Sequence, residues 1–282
     1  MKLTNPIHFL LLVLLAVVCS CGYEYDTDLI SAVKKKDFRS IEHLVKLGNT
    51  VNCVDEDGFT PLMWASDKGY EKITKYLIQQ GADIHAKNRH GETSLAIASY
   101  KGQWASAQIL IEHGADVNTK NKDSITPLMY SATHGFENVV RLILKGKAKV
   151  DAVSKEGLTA LAYATINDRY DVAKILIDFK ANVNFAMQDN ETILMTIANI
   201  GNTKIAKLLL DHGALVNAKN NYFDTALMAA CKNRNLEMVQ LLISYHADVN
   251  SRDANGETAL THASRAGDQR IVMLLKAVGA TK

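Results

Sequence analysis

From Thr27 onward, apolar positions fall into two short runs and then a polar break, and the whole pattern repeats every 33 residues. Leu29, Leu62, Leu95, Leu128, Leu161, Leu194, Leu227 and Leu260 mark the first run. Leu44, Leu77, Leu110, Ile143, Leu176, Leu209, Leu242 and Leu275 mark the second. Within the second run the spacing is helical, as in Ile73, Leu77 and Ile78, which gives one buried stripe. Each unit therefore predicts two short helices and a polar loop. A single unit of this kind cannot cover its own apolar face, so the units must stack.

Local punctuation agrees with the period. Thr60, Thr93, Thr126, Thr159, Thr192, Thr225 and Thr258 stand one unit apart, each at the start of a first helix, where a hydroxyl can accept from a free backbone N–H. Thr60-Pro61 and Thr126-Pro127 add a proline that presets the first turn. Gly69, Gly102, Gly135, Gly201 and Gly267 end that helix, and Gly81, Gly114 and Gly213 end the second. Pairs ending at Gly58, Gly91, Gly157 and Gly256 supply a tight turn before the next threonine, predicting a β-hairpin loop. Departures fall at Asp168, Lys180, Arg234 and His246, and at the loop tips Ser124, Asn190 and Phe223. A non-glycine residue held left-handed there costs about 1 to 2 kcal/mol, so these units should be softer unless their turns are reshaped.

The segments TPLMWAS, ETSLAIAS, ITPLMYSA, GADVN and GALVN resemble the ankyrin repeat. The resemblance spans residues 27–282 as about eight units starting near 27, 60, 93, 126, 159, 192, 225 and 258. It implies an all-α repeat solenoid, with loops projecting sideways and partners held on the concave face built from loops and first helices. Units one and eight act as caps, with Lys34, Lys35, Lys36 and Lys276 as outward polar residues.

Ahead of the repeats, Ile7 to Val18 is apolar apart from His8 and too short to span a bilayer, so residues 1–20 read as a signal peptide. Val18-Cys19-Ser20-Cys21 resembles a bacterial lipobox and marks Cys21 for lipidation, although Cys19 is atypical at its place. Residues 21–26 would then form a short tether, at most about 20 Å long. The expected location is the bacterial periplasm or outer membrane, with free secretion as the alternative.

Composition narrows the partners. Lys plus Arg number 32 against 30 Asp plus Glu, so no strong basic field favours nucleic acid, and any membrane contact should come through the lipid anchor alone. No HExxH, GxSxG, phosphate-binding loop or CxxC pair occurs, and no cofactor or metal is expected. His113 and His212 precede helix-ending glycines, where an imidazole meets the helix dipole favourably. His85 and His90 flank one loop and read as solvated. Cys53 and Cys231 lie about 50 Å apart at the usual helix spacing, far beyond disulfide reach, and read as buried free thiols. Trp64 and Trp104 read as core.

Binding should use positions the repeat does not need for folding. Around the loop tips and the outer side of the first helices these are Phe59, Lys68, Arg89, His90, Tyr100, Lys101, Ile125, His134, Leu158, Ile166, Tyr222, Phe223 and Lys232. Exposed Phe59, Ile125, Leu158, Tyr222 and Phe223 would mark an interface. The sequence thus predicts an exported, lipid-anchored, monomeric scaffold for a protein partner, with neutralisation of a toxin or inhibition of an enzyme as a narrower version. An enzyme is disfavoured because the repeats leave no room for a catalytic domain. A pure spacer would show a uniformly polar loop face.

Overall fold

The computed structural model describes residues 27–281. Residues 1–20, read above as a signal peptide, together with Cys21 and the expected tether at 21–26, lie outside the described residues. Eight helix pairs follow one another. The first helices are Thr27–Lys34, Pro61–Lys68, Ser94–Lys101, Pro127–His134, Ala160–Ile166, Ile193–Ile200, Ala226–Lys232 and Ala259–Ala266. The second helices are Phe38–Lys46, Glu71–Gln79, Trp104–Glu112, Glu137–Lys145, Tyr170–Asp178, Thr203–Asp211, Leu236–Ser244 and Gln269–Ala277. Each helix packs on its partner within the unit, and those of the interior units also pack on their counterparts on either side. None is long and apolar enough to cross a membrane among the described residues.

The threonines act as read from the sequence. Thr60, Thr93, Thr126, Thr159, Thr192 and Thr225 each accept from the backbone N–H three residues on. Thr258 differs: its hydroxyl donates to the Thr281 carbonyl at 3.0 Å, tying the last unit to the chain's end. Every leucine of the first run is at most 2% exposed, and all of the second run from Leu77 onward are fully buried. Leu44 is only half-buried.

Four departures from glycine keep the glycine geometry. Asp168, Lys180, Arg234 and His246 have φ between 57° and 69°, and Lys36 and Lys147 join them at 59° and 65°. At the tips Ser124, Asn190 and Phe223 are likewise left-handed, at 58° to 60°. The turns are therefore not reshaped, and the steric cost stays in the fold. A Lys180→Gly/His246→Gly variant should gain about 1 kcal/mol in chemical denaturation, after allowance for glycine's greater freedom when unfolded. An unchanged midpoint would show that the backbone is not strained there.

The loops differ from expectation. Among the described residues no strand forms, and only Ala186 with Thr192 and Arg252 with Thr258 pair as isolated bridges. Each loop is instead a turn closed at its base, as in Asp55 N–H donating to the Phe59 carbonyl at 3.1 Å. A side chain inside the turn does the rest. Asp55, Asn88, Asn121, Asn220 and Asp253 each accept two backbone N–H bonds through Oδ1, which holds the turn without a ladder. At the same place in the fifth loop stands Met187, which cannot accept in this way, and a 3-10 turn with Asp189 at φ 57° replaces the common form.

These loops, called fingers below, are stitched to one another. Arg89 N–H donates to Asp57 O, Lys122 to His90, Lys155 to Asp123, Asn221 to Asp189 and Ala254 to Tyr222, at 2.8 to 3.0 Å. Between the fingers at 154–158 and 187–191 no such bond forms, and the first helices Ala160–Ile166 and Ile193–Ile200 meet over a shorter stretch than other neighbours. A second stitch lies on the other side of the fingers. Asn52, Asn118, Asn184, Asn217 and Asn250 each donate to a carbonyl of the next unit and accept one of its N–H groups. Asp151 accepts the equivalent bond from Asn182 N–H at 3.0 Å and so carries this stitch across the weaker junction.

Candidate protein-binding face

The face is built by the carboxyl ends of the first helices and by the fingers beside them. Its frame comes from a brace that recurs in several units, joining the fourth residue of a first helix to the base of its finger. Trp64 Nε1 donates to Asp55 Oδ2 at 2.8 Å, Asn121 Nδ2 to the Tyr130 hydroxyl at 2.9 Å, and the Tyr163 hydroxyl to Ser154 Oγ at 3.2 Å. His262 Nε2 pairs with Asp253 Oδ2 at 2.9 Å in the last unit. Each brace fixes the angle between helix and finger, so side chains further out are presented on a rigid support.

Two clusters of surface side chains result. In units two to four, Lys68 and Lys101 reach the two oxygens of Asp67 at 3.0 and 3.5 Å. Tyr100 stands edge-on to both Tyr130 and His134, with ring centres 5.4 and 4.7 Å apart, and His134 stacks on Phe136. The Tyr130 hydroxyl donates to Glu92 Oε1 at 2.6 Å, and burial together with that carboxylate pushes its pKa well above the ordinary tyrosine value. Tyr130 therefore stays a neutral donor in the working pH range.

In the last two units, Tyr222, Asp224, Lys232, Asp253, Glu257, His262 and Arg265 surround a pocket of about 550 Å³. Lys232 pairs with Asp224 at 2.8 Å, and Arg265 grips Glu257 with two nitrogens. Burial alone would raise the Asp253 carboxyl, but bonds from Glu257 N–H and His262 outweigh it and hold the group below the usual range. Asp224, Asp253 and His262 bring ligand-type atoms within 4.8 Å of one another. Each already has a structural partner, and His262 repeats the brace that Trp64 and Tyr163 make elsewhere. The cluster reads as a brace on those grounds.

Of the residues singled out in the sequence, Lys68, Arg89, His90, Tyr100, Lys101, Ile166, Tyr222, Phe223 and Lys232 are exposed, with Tyr222 and Phe223 at 58% and 54%. His134 is half-buried between Tyr100 and Phe136. Phe59, Ile125 and Leu158 are not exposed as expected. Phe59 lies on Trp64 with ring centres 5.2 Å apart, while Ile125 and Leu158 pack on the core beneath their fingers. Lys68 with Lys101, Tyr100 with His134, and Tyr222 with Lys232 are brought together; Arg89 and His90 belong to the finger stitching.

Other expectations also divide. Trp104 is 47% exposed and not core, because it opens a second helix at a place where other units carry Glu71, Glu137 or Gln269 on the outside. Trp64 is half-buried in its brace. Cys53 and Cys231 are buried and form no disulfide. His113 and His212 place Nδ1 at 2.7 and 2.8 Å from the carbonyls of Ile109 and Leu208, at the helix ends where imidazoles were expected. The sequence reading missed Ile200, which is 53% exposed at the place that Lys68 and Lys101 occupy in their units. Its signal was present in the repeat register: a large aliphatic at a position otherwise polar or small.

Comparison with known proteins bears on this architecture. Among curated proteins none matched the chain. Among solved structures, the crystal structure of the human ASB11 ankyrin repeat domain is similar, with a TM-score of 0.70 and 27% identity over 79% of this chain and 100% of that one. A family model described as "Ankyrin repeats (3 copies)" matches residues 29–121, 107–187, 179–253 and 223–282. Proteins built this way are generally protein–protein interaction modules. With matches running from residue 29 to 282, the chain belongs to the ankyrin repeat family.

Proposed function

We propose that this protein is an exported, lipid-anchored scaffold that acts as a monomer and holds a protein partner on the face made by its fingers and first helices. The observation that carries the reading is the contrast within each unit. Caps, core leucines and braces recur, while the outward residues at the end of the first helix change from Lys68 and Lys101 to Ile200 and Asn233. A frame that repeats beneath a surface that varies suits recognition and not a uniform spacer. Export and anchoring are supported by the apolar run from Ile7 to Val18 and by the lipobox-like segment ending at Cys21. With a tether of about 20 Å and eight units at roughly 10 Å each, the far end would stand on the order of 80 Å from the membrane.

Two measurements test the two parts. Full-length protein in a Gram-negative host should yield a mature product heavier by a diacyl or triacyl group that partitions into detergent, and both properties should vanish in Cys21→Ala. An unmodified, soluble wild type would overturn the anchor. A photo-cross-linker placed in turn at Lys68, Lys101, Ile200 and Lys232 should capture one discrete partner, whereas the same probe at Lys75 and Lys207 on the second helices should not. Equal capture from both sets, or from neither, would overturn the binding face.

A further inference from the structure

One position of the repeat changes character halfway along the stack. At the end of the first helix the units carry Lys35, Lys68, Lys101 and His134, and then Asn167, Ile200, Asn233 and Ala266. At this position the first half of the stack is therefore cationic and the second half neutral to apolar. The fingers of the first half carry exposed Glu56, Asp57 and Asp123 beside Arg89 and Lys122, so the charge that stands out is that of the helix-end row itself. Asp67 is shared by Lys68 and Lys101, and Asp55 takes Lys34 at 3.6 Å while already accepting from Trp64. Glu92 has both oxygens bound, one by Tyr130 and the other by Asn88. Lys34, Lys35, Lys68 and Lys101 thus stand against three carboxylates, and with Asp67 shared by two lysines and Lys35 paired to none of the three, the row keeps an excess of positive charge.

Aromatic rings hold this row in place. Lys34 Nζ sits 4.0 Å above the centre of the Trp64 ring, Lys68 5.7 Å from the same ring, and Lys101 5.1 Å from that of Tyr100. Ammonium groups resting on rings lose less freedom on pairing than free lysines do, so less of the attraction is spent on ordering them. Rows of cations one unit apart are separated by roughly 10 Å. A polypeptide in the extended polyproline II conformation rises about 3.1 Å per residue with three residues per turn, so every third side chain returns to one face and meets the next row.

We infer that the half of the face in units one to four is a docking track for an acidic, extended polypeptide segment with carboxylates at every third residue, running on toward apolar residues over Ile166 and Ile200. The inference rests on the reading that this face binds a protein. A polypeptide fits better than a nucleic acid: the chain's formal charge is only +2, too little to hold a polyphosphate once salt competes.

The test uses the protein and a labelled synthetic peptide of about 15 residues with glutamate at every third position and proline between, which favours the three-residue turn. Anisotropy should show binding at low salt that weakens as ionic strength passes physiological, where the screening length falls to about 8 Å. Lys35→Gln/Lys68→Gln/Lys101→Gln should lose about tenfold in affinity or more, the sum of three modest exposed pairs. Lys207→Gln on a second helix, outside the face, should bind as wild type, and circular dichroism should show all variants folded. No binding by wild type, equal binding by the triple variant, or tighter binding of a single-stranded oligonucleotide would overturn the inference. Cross-linking from Lys68 or Lys101 to a partner, combined with such a result, would overturn the acidic segment alone and leave the protein-binding face standing.

Discussion

Leu161→Ala should destabilise the solenoid by about 2 to 5 kcal/mol, the range for removing a fully buried leucine from a core that collapses only partly around the cavity. Leu161 is 0% exposed in the first helix Ala160–Ile166, wedged between the second helix of its own unit and the units on both sides. In a stack where stability is close to a sum of units and nearest-neighbour interfaces, an interior defect weakens two interfaces at once. One of them is already the weakest: the junction with the sixth unit lacks the finger stitch that every other pair from 55–59 onward makes. The damage should therefore appear as a split transition in chemical denaturation, with one half of the stack unfolding first. Leu260→Ala in the eighth unit, which among the described residues packs on the seventh alone, should shift a single transition and by less. A single cooperative transition in Leu161→Ala, shifted no more than in Leu260→Ala, would mean that the junction between units five and six is as strong as the rest.

What the sequence revealed of this fold has a physical boundary. The period, the threonine caps and the buried leucines are legible because each depends on residues within one turn or one helix. The left-handed residues were legible too where a glycine column was broken, as at Arg234 and His246, and the structure keeps them left-handed. The stitching was not. Asn217 donating to the His246 carbonyl joins residues almost a unit apart, and an asparagine in a polar loop gives no sign that its partner is there. The brace from Trp64 to Asp55 is similarly silent, since a tryptophan inside an apolar helix reads as core until its N–H is seen to need an acceptor.

The candidate site was partly legible for the same reason. Exposure at a finger depends on what the neighbouring helix places beneath it. Ile125 and Leu158 found core below, whereas Tyr222 and Phe223 did not. Trp104 failed in the opposite sense: its type suggested burial, but its place at the first turn of a second helix points it outward. Reading position by position across units, instead of residue by residue, separates these cases. It also exposes the change from lysine to neutral residues that marks the two halves of the face.

Cys231 offers the second large effect. It occupies the position that holds Ser66, Ser99 and Thr165 in other units, where a small side chain lets neighbouring first helices approach, and it is fully buried. Burial pushes its thiol from 9.0 up to about 12. A shift of that size lowers the thiolate fraction at neutral pH by about a thousandfold, before any effect of restricted access. In a Cys53→Ser background, alkylation of the native protein should be slower than that of the denatured chain by at least that factor. Stability should respond as well. The folded state holds the proton more tightly than the unfolded one, so this contribution is fully present below pH 9 and is lost as pH rises from about 9 toward 12, by up to about 1.4 kcal/mol per pH unit. Tyr130, raised in the same sense, steepens the loss further, so the informative comparison is between variants. Cys231→Ala should flatten the alkaline profile relative to wild type, at the cost of a small cavity that lowers stability equally at every pH. Parallel profiles would show that the thiol titrates as an ordinary exposed one, and hence that the first helices of units six to eight open far more readily than their packing implies.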